Sequence, residues 1–228
     1  SANVNGYYTQ WTNRPTVVSF TVGGDPVSSN ATGMGALHKG IEFDAIYKPL
    51  KNLSVEGMAS IGDWRWNKIA TAIAVSDDGT PVDTVQFDPR GVRVGDAAQQ
   101  TYSISVRYEP IKKLYIKPQF NWFARNYANF TPDGLQITDI ASQTGPNLGR
   151  QSWRMPDYGV LDVSMGYSMT VNKVKCDFRL TVMNALDAFG ITDAQSNQFG
   201  TSSTFNAASS SVNFLMGRRW MSSIAFTF

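Results

Sequence analysis

Few side chains in this sequence are spaced for covalent or metal chemistry. His38 is the only histidine and Cys176 the only cysteine, so the chain offers no histidine pair, no thiolate cluster and no internal disulfide. Cys176 falls in phase with Phe178, Leu180 and Val182 and reads as a small apolar surface residue. Ser76-Asp77-Asp78-Gly79-Thr80 lacks the spaced oxygen ligands and closing Glu of a calcium loop, and reads instead as a hairpin tip. Serine and aspartate are plentiful, but they form no nucleophile motif. No catalytic residue, metal site or cofactor is expected.

What the ionisable residues share is alternation. Glu42, Asp44, Glu56, Arg107, Lys117, Arg125, Asp162, Asp177 and Arg179 interleave with apolar residues, which is the pattern of a polar lining behind a greasy surface. A second candidate is Gly62-Asp63-Trp64-Arg65-Trp66. There, Trp64, Arg65 and Trp66 could contact a ligand from a loop, or the rings could belong to an aromatic girdle at a membrane interface.

The elements that must position these residues are strands. Ile41, Phe43, Ala45 and Tyr47 alternate with polar residues. So do Tyr102, Ile104, Val106 and Tyr108, then Leu161, Val163, Met165 and Tyr167, and finally Trp220, Ile224, Phe226 and Phe228. Period two with one greasy face means a strand. Tyr47, Tyr108, Tyr167 and Phe226 are separated by 61, 59 and 59 positions, so the chain is built on an internal repeat. Eight strands follow: 4–11, 40–47, 53–61, 101–108, 114–124, 158–167, 175–183 and 218–228. Short turns are expected at 48–52, 109–113 and 170–174. Long exposed loops are expected at 13–39, with a local strand over 17–22, at 64–98, from 125 to 157, and at 187–213.

Composition leaves room for one large domain or two small ones, argues against wholesale disorder, and is compatible with a membrane β-barrel. The chain has 228 residues, 42% hydrophobic and 12% aromatic. No run approaches the roughly 18 apolar residues of a spanning helix. A barrel strand needs only every second residue apolar. The net charge of +2 is scattered, without the basic stripe that a nucleic-acid partner requires.

Several segments resemble the C-terminal part of a TonB-dependent outer-membrane receptor. They are Ala36-Leu37-His38-Lys39-Gly40-Ile41-Glu42-Phe43, the stretch from Glu56 to Trp66, Val94-Gly95-Asp96-Ala97-Ala98, and the stretch from Tyr108 to Ile116. Asn184-Ala185-Leu186-Asp187 is similar to the Asn-x-Leu-Asp after the penultimate strand of these receptors, and Arg218 to Phe228 to their terminal assembly signal, carried by Trp220, Phe226 and Phe228.

The resemblance implies an all-β fold: an antiparallel up-and-down transmembrane barrel of about 22 strands with a plugged lumen, of which residues 1–228 supply about eight C-terminal strands. It implies active uptake of a nutrient through the bacterial outer membrane, with outer-membrane lipid around the wall. The plug, the early strands and the segment that engages the TonB energising complex would lie elsewhere, and the start of the chain reads as truncated. The expected rival is an autonomous eight-stranded barrel with a structural or adhesive role, in which the first and last strands pair. An outer-membrane enzyme is a third reading, for which no acid, base and nucleophile set is visible.

Overall fold

The computed structural model describes residues 1–22, 24–75, 80–130, 135, 137, 152–196 and 207–228. In chain order its strands are β1 (Ala2–Val22), β2 (Asp25–Leu50), β3 (Leu53–Trp66), β4 (Ala70–Val75), β5 (Pro81–Phe87), β6 (Gln100–Ile111), β7 (Leu114–Ala124), β8 (Asn129–Phe130), β9 (Tyr158–Val171), β10 (Val174–Met183), β11 (Ile191–Ser196), β12 (Ser210–Phe214) and β13 (Arg219–Thr227). One antiparallel wall runs β1-β2-β3-β6-β7-β9-β10-β13, each strand beside its expected neighbour. Among the described residues β1 and β13 form no ladder with each other, so the wall is open.

Register sorts the side chains into rows. One row is Ala2, Ala45, Gly57, Ile104, Phe120 and Leu161, and the next on that face is Val4, Phe43, Ala59, Tyr102, Trp122 and Gly159. Between them on the opposite face lies Asn3, Asp44, Met58, Ser103, Asn121 and Val160. The wall is therefore apolar on one face and mostly polar on the other, with large apolar side chains left exposed at Ile41, Phe43, Ile104, Tyr108 and Ile224.

The turns are tighter than the sequence suggests. Leu50 pairs with Leu53, Ile111 with Leu114 and Val171 with Val174, leaving two residues in each turn. Lys113 and Asn172 take positive φ there, 71° and 56°. The first two hairpins slip register between Tyr47 and Leu50 and between Tyr108 and Ile111, where Pro49 and Pro110 sit. Proline has no N–H to give the ladder, so a bulge absorbs it. The third hairpin has no proline there and keeps its register.

The opposite end departs further from expectation. Residues 13–39 are not a long loop: β1 and β2 stay paired as far as Val22 and Asp25, and reach 21 and 26 residues, well beyond the roughly 9–11 that cross a bilayer. The pairing bends where it shifts register between Trp11 and Thr16, with Asn13 at φ 56° and Gly33 at φ 86°. Residues 64–98 are not a simple loop either, because β3 extends to Trp66 and β4 and β5 form a hairpin whose Ala72 and Thr71 pair with Ala31 and Thr32 of β2. The tip itself, 76–79, lies outside the described residues.

Among the described residues two small cores result. In one, Val18, Ala31, Met34, Ala36, Ala70, Ala72, Ala74, Phe87 and Val92 are buried together, with Phe87 fully enclosed. In the other, Ala128, Trp153, Met155, Ile191 and Ala194 close over β8, β11 and β12, which form a separate three-stranded sheet within the expected third and fourth loops.

Candidate functional site

The polar face of the wall carries a chain of charge-assisted contacts. Glu56 accepts from Lys117 Nζ at 3.0 Å and from Ser105 Oγ at 3.1 Å, joining β3, β6 and β7. Asn3 donates to Asp44 at 3.2 Å and Asn5 to Glu42 at 3.1 Å, so both acids on β2 are held by amides of β1. Arg107 binds Glu109 at 2.9 Å and lies 3.9 Å over the Tyr115 ring. That ring crosses Gly166, where any Cβ would collide with it. Asp177 takes Lys175 at 2.8 Å and the hydroxyl of Ser168, while Arg179 faces Tyr115, Ser168 and Ser223 around a recess of about 460 Å³. A second recess, about 250 Å³, lies among Asp44, Glu56, Met58, Ser103, Ser105 and Gln119.

Two residues of the expected lining lie where the backbone is tied at strand ends. Asp162 accepts the Asn184 N–H at 2.8 Å. Arg125 stands one residue past β7 with φ 52°, so strand alternation stops before it, and its N–H donates to Asp157 at 3.1 Å.

Above this face, Trp64, Arg65 and Trp66 are the end of β3 and not a loop. They pair with Ala36 to His38 on one side. On the other, Trp66 donates to the Val92 carbonyl at 2.9 Å and Val94 to the Trp64 carbonyl at 3.1 Å. Alternation separates the three side chains. Trp66 is buried, with the Arg14 guanidinium 5.4 Å from its ring. Arg65 turns to the other face and holds Asp63 at 3.0 Å. Burial works to raise the Asp63 pKa, but the hydrogen bond from Arg65 and the charges of Arg93, Arg65 and Lys39 outweigh it and keep the group below its ordinary value.

Trp64 belongs to an aromatic cluster that sequence reading missed. Its Nε1 donates to Tyr7 Oη at 2.8 Å, and its ring stacks on His38 at 5.2 Å and 12°. Trp11 meets His38 edge-on at 6.4 Å. Tyr7 fits because its partners Gly40 and Gly62 have no Cβ; one added at either would lie within 3 Å of the Tyr7 hydroxyl. A Gly40–Gly62 cross-strand pair beside a tyrosine was the available signal. Burial, then the charge of Arg14, lowers the His38 pKa below its ordinary value. Gln99, 1% exposed, fixes the neighbouring segment: its Nε2 donates to the carbonyls of Trp64 at 2.9 Å and Val94 at 3.3 Å, and its Oε1 accepts from the Trp64 N–H at 3.3 Å. Among the described residues no three His, Cys, Asp or Glu side chains gather to hold a metal ion.

The Asn184-Ala185-Leu186-Asp187 segment acts as a clasp. Asn184, 2% exposed with φ 49°, donates to the carbonyls of Ala188 at 2.9 Å and Met216 at 3.1 Å and accepts the Ala188 N–H at 2.8 Å. Asp187 accepts the Arg218 N–H at 2.8 Å. The end of β10 is thus tied to the start of β13. On β13, Trp220 and Phe226 lie opposite Val182 and Cys176 in the apolar rows, and Phe228 follows the last strand residue, 96% exposed.

An apolar outer face, a charged inner face, two-residue turns at one end and long built-up connections at the other define an outer-membrane type of β-barrel wall. The model of the TonB dependent receptor-like β-barrel family matches residues 1–185, and the chain belongs to that family. Solved structures that share the fold include these two. The siderophore receptor PiuA from Acinetobacter baumannii is 14% identical with a TM-score of 0.59, over 98% of this chain and 25% of that one. The FpvAI–pyocin S2 complex is 15% identical with a TM-score of 0.51, over 98% and 24%. The chain thus spans about a quarter of the solved structures it matches. Comparison with curated proteins finds no match.

Proposed function

We propose that this chain is the C-terminal wall of a larger outer-membrane receptor that takes up a nutrient actively, energised through TonB. The observation that carries this reading is the pair of open edges. Apolar rows reach β1 on one side and β13 on the other without the two strands meeting. In hydrocarbon an unpaired strand edge leaves N–H and C=O groups unsatisfied at several kcal/mol each, so each edge needs a further strand. A self-contained eight-stranded barrel would require β1 to pair with β13.

In this reading Glu42, Asp44, Glu56, Arg107, Lys117, Asp162, Asp177 and Arg179 line the lumen around a plug. The long-connection end faces outward, and Trp220, Phe226 and Phe228 form the segment read during assembly. The first ligand class to assay is a siderophore, because PiuA is described as a siderophore receptor. The test is uptake of a labelled iron–siderophore chelate by cells carrying the full-length receptor, with and without TonB. Uptake that needs both supports the reading; uptake that persists without TonB refutes the mechanism. A disulfide between Val4→Cys and Phe226→Cys in the full-length protein, made in a Cys176→Ala background because Cys176 lies opposite Phe226, would instead establish the small closed barrel.

A further inference from the structure

The short-turn end carries an order of side chains that the polar lining and the outer loops do not use. Tyr47, Tyr108 and Tyr167, the repeat positions of the sequence, sit on the apolar face four or five residues before their turns. Each is followed, as the last strand residue, by Leu50, Ile111 or Val171, which are 59%, 61% and 49% exposed. The turns then present Lys51, Lys112 with Lys113, and Lys173.

Aromatic, aliphatic and cation recur in that order in three hairpins, and among the described residues the lysines within the turns are bound to no carboxylate, whereas several cations at the other end are. There, Lys39, Arg65 and Arg93 surround Asp63, Arg90 binds Asp88 and Arg154 binds Asp157. Among the described residues the turn lysines Lys51, Lys112, Lys113 and Lys173 make no ion pair, and neither does Lys48 beside them. Lys48 and Lys51, with Asn52, Ser54 and the Arg107–Glu109 pair, border a recess of about 170 Å³ at the foot of the first hairpin.

An exposed cation without a carboxylate partner, placed just past an aromatic belt, falls at the level where the interface gives way to headgroup phosphates. We propose that the turn lysines form a collar that binds the phosphates of anionic glycerophospholipid headgroups in the leaflet beside the short turns. The collar would set the depth of the wall in the membrane. This inference rests on the membrane-barrel reading, since only an inserted wall brings the lysines to headgroup level.

The experiment uses the full-length receptor in bilayers of phosphatidylcholine, with spin-labelled phosphatidylglycerol or phosphatidylcholine as probes of the lipid held at the protein surface. A single lysine near an anionic surface is worth about fivefold in association. The protein should therefore hold phosphatidylglycerol over phosphatidylcholine by about fivefold or more, falling as salt rises. Replacing Lys51, Lys112, Lys113 and Lys173 together by Gln should lower that preference clearly, leaving only what the rest of the receptor contributes, while Arg at all four positions should retain it. Heat-modifiable gel migration verifies that each variant is folded. A folded Gln variant with undiminished preference overturns the collar, and so does a wild-type protein without preference. Lost uptake with unchanged lipid preference would assign the lysines to a soluble partner and also overturn it. If neither probe is immobilised at all, the protein is not inserted, and the membrane-barrel reading falls with the collar.

Discussion

The wall and the structure above it obey different rules. In the wall every strand has one largely apolar face and one mostly polar face, so hydrophobicity alternates cleanly over Ile104, Val106 and Tyr108 or Val163, Met165 and Tyr167. Above it, strands such as β4 bury Ala70, Ala72 and Ala74 against other strands and leave Ile73 and Val75 exposed. In β4 burial is achieved by small residues and close approach, so along that strand the large apolar residues do not mark the inside. Contact with lipid selects side chains by hydrophobicity; contact with another sheet selects them by size and fit.

The largest effect that would sharpen this contrast is expected at Phe87, the enclosed ring of the upper core. Phe87→Ala should cost about 3–5 kcal/mol locally, yet leave the wall intact. Hydrogen exchange should therefore show loss of protection in β4 and β5 and none in β6 or β7; wall strands that melt with them would show the two regions to be one unit. Next comes the wall itself. Ile104→Arg puts a cation on the apolar face and should cost about 2–4 kcal/mol in a folding titration in lipid. Ser105→Arg, one residue along on the polar face, should cost much less, and equal losses would break the assignment of faces.

A smaller effect is expected where the clasp joins β10 to β13. Asn184→Ala strands the carbonyls of Ala188 and Met216, at about 1–3 kcal/mol. Its signature is faster exchange at the start of β13, with the middle of β10 unchanged. The smallest concerns His38, whose pKa is lowered by burial and then by Arg14. Above pH of about 6.5 the imidazole is neutral whether folded or not. As pH falls below that value the unfolded chain takes up the proton first, so stability around the Trp11–His38–Trp64 cluster declines toward the folded pKa. Arg14→Gln should raise the His38 titration midpoint read by NMR; an unchanged midpoint would remove Arg14 as a cause.

The wall was legible because period two survives any number of strands. All eight expected strands are present, with boundaries displaced mainly outward, at Leu50, Ile111 and Val171 toward the turns and at Val22 and Asp25 toward the tip. The long connections were not. Residues 13–39 are rich in Gly, Ser, Asn and Pro and read as a loop, yet Arg14 and Thr16 to Val22 find partners in β2 once a bulge has turned the hairpin. Trp64, Arg65 and Trp66 were noticed for their chemistry, but their fates differ because neighbours far along the chain, Val92, Val94 and Gln99, bond the backbone around Trp64 and Trp66. Tyr7 and Trp11 went unremarked, since only register across to Gly40, Gly62 and His38 makes them a cluster.

The two-residue turns have a kinetic meaning as well. Leu50 meets Leu53, Ile111 meets Leu114 and Val171 meets Val174 with almost no chain to close, whereas Ile61 finds Gln100 only after all of residues 62–99 have been gathered in. Loop-closure entropy falls on the second kind of contact, so the hairpins β2–β3, β6–β7 and β9–β10, together with β1–β2 at its Val22–Asp25 tip, are the units expected to zip first. Their joining across the long connections is the slow step. Each hairpin then enters that step with its faces already decided: a slip of one residue at Lys112-Lys113 during zippering would turn Lys117 toward lipid and Phe120 toward the polar side.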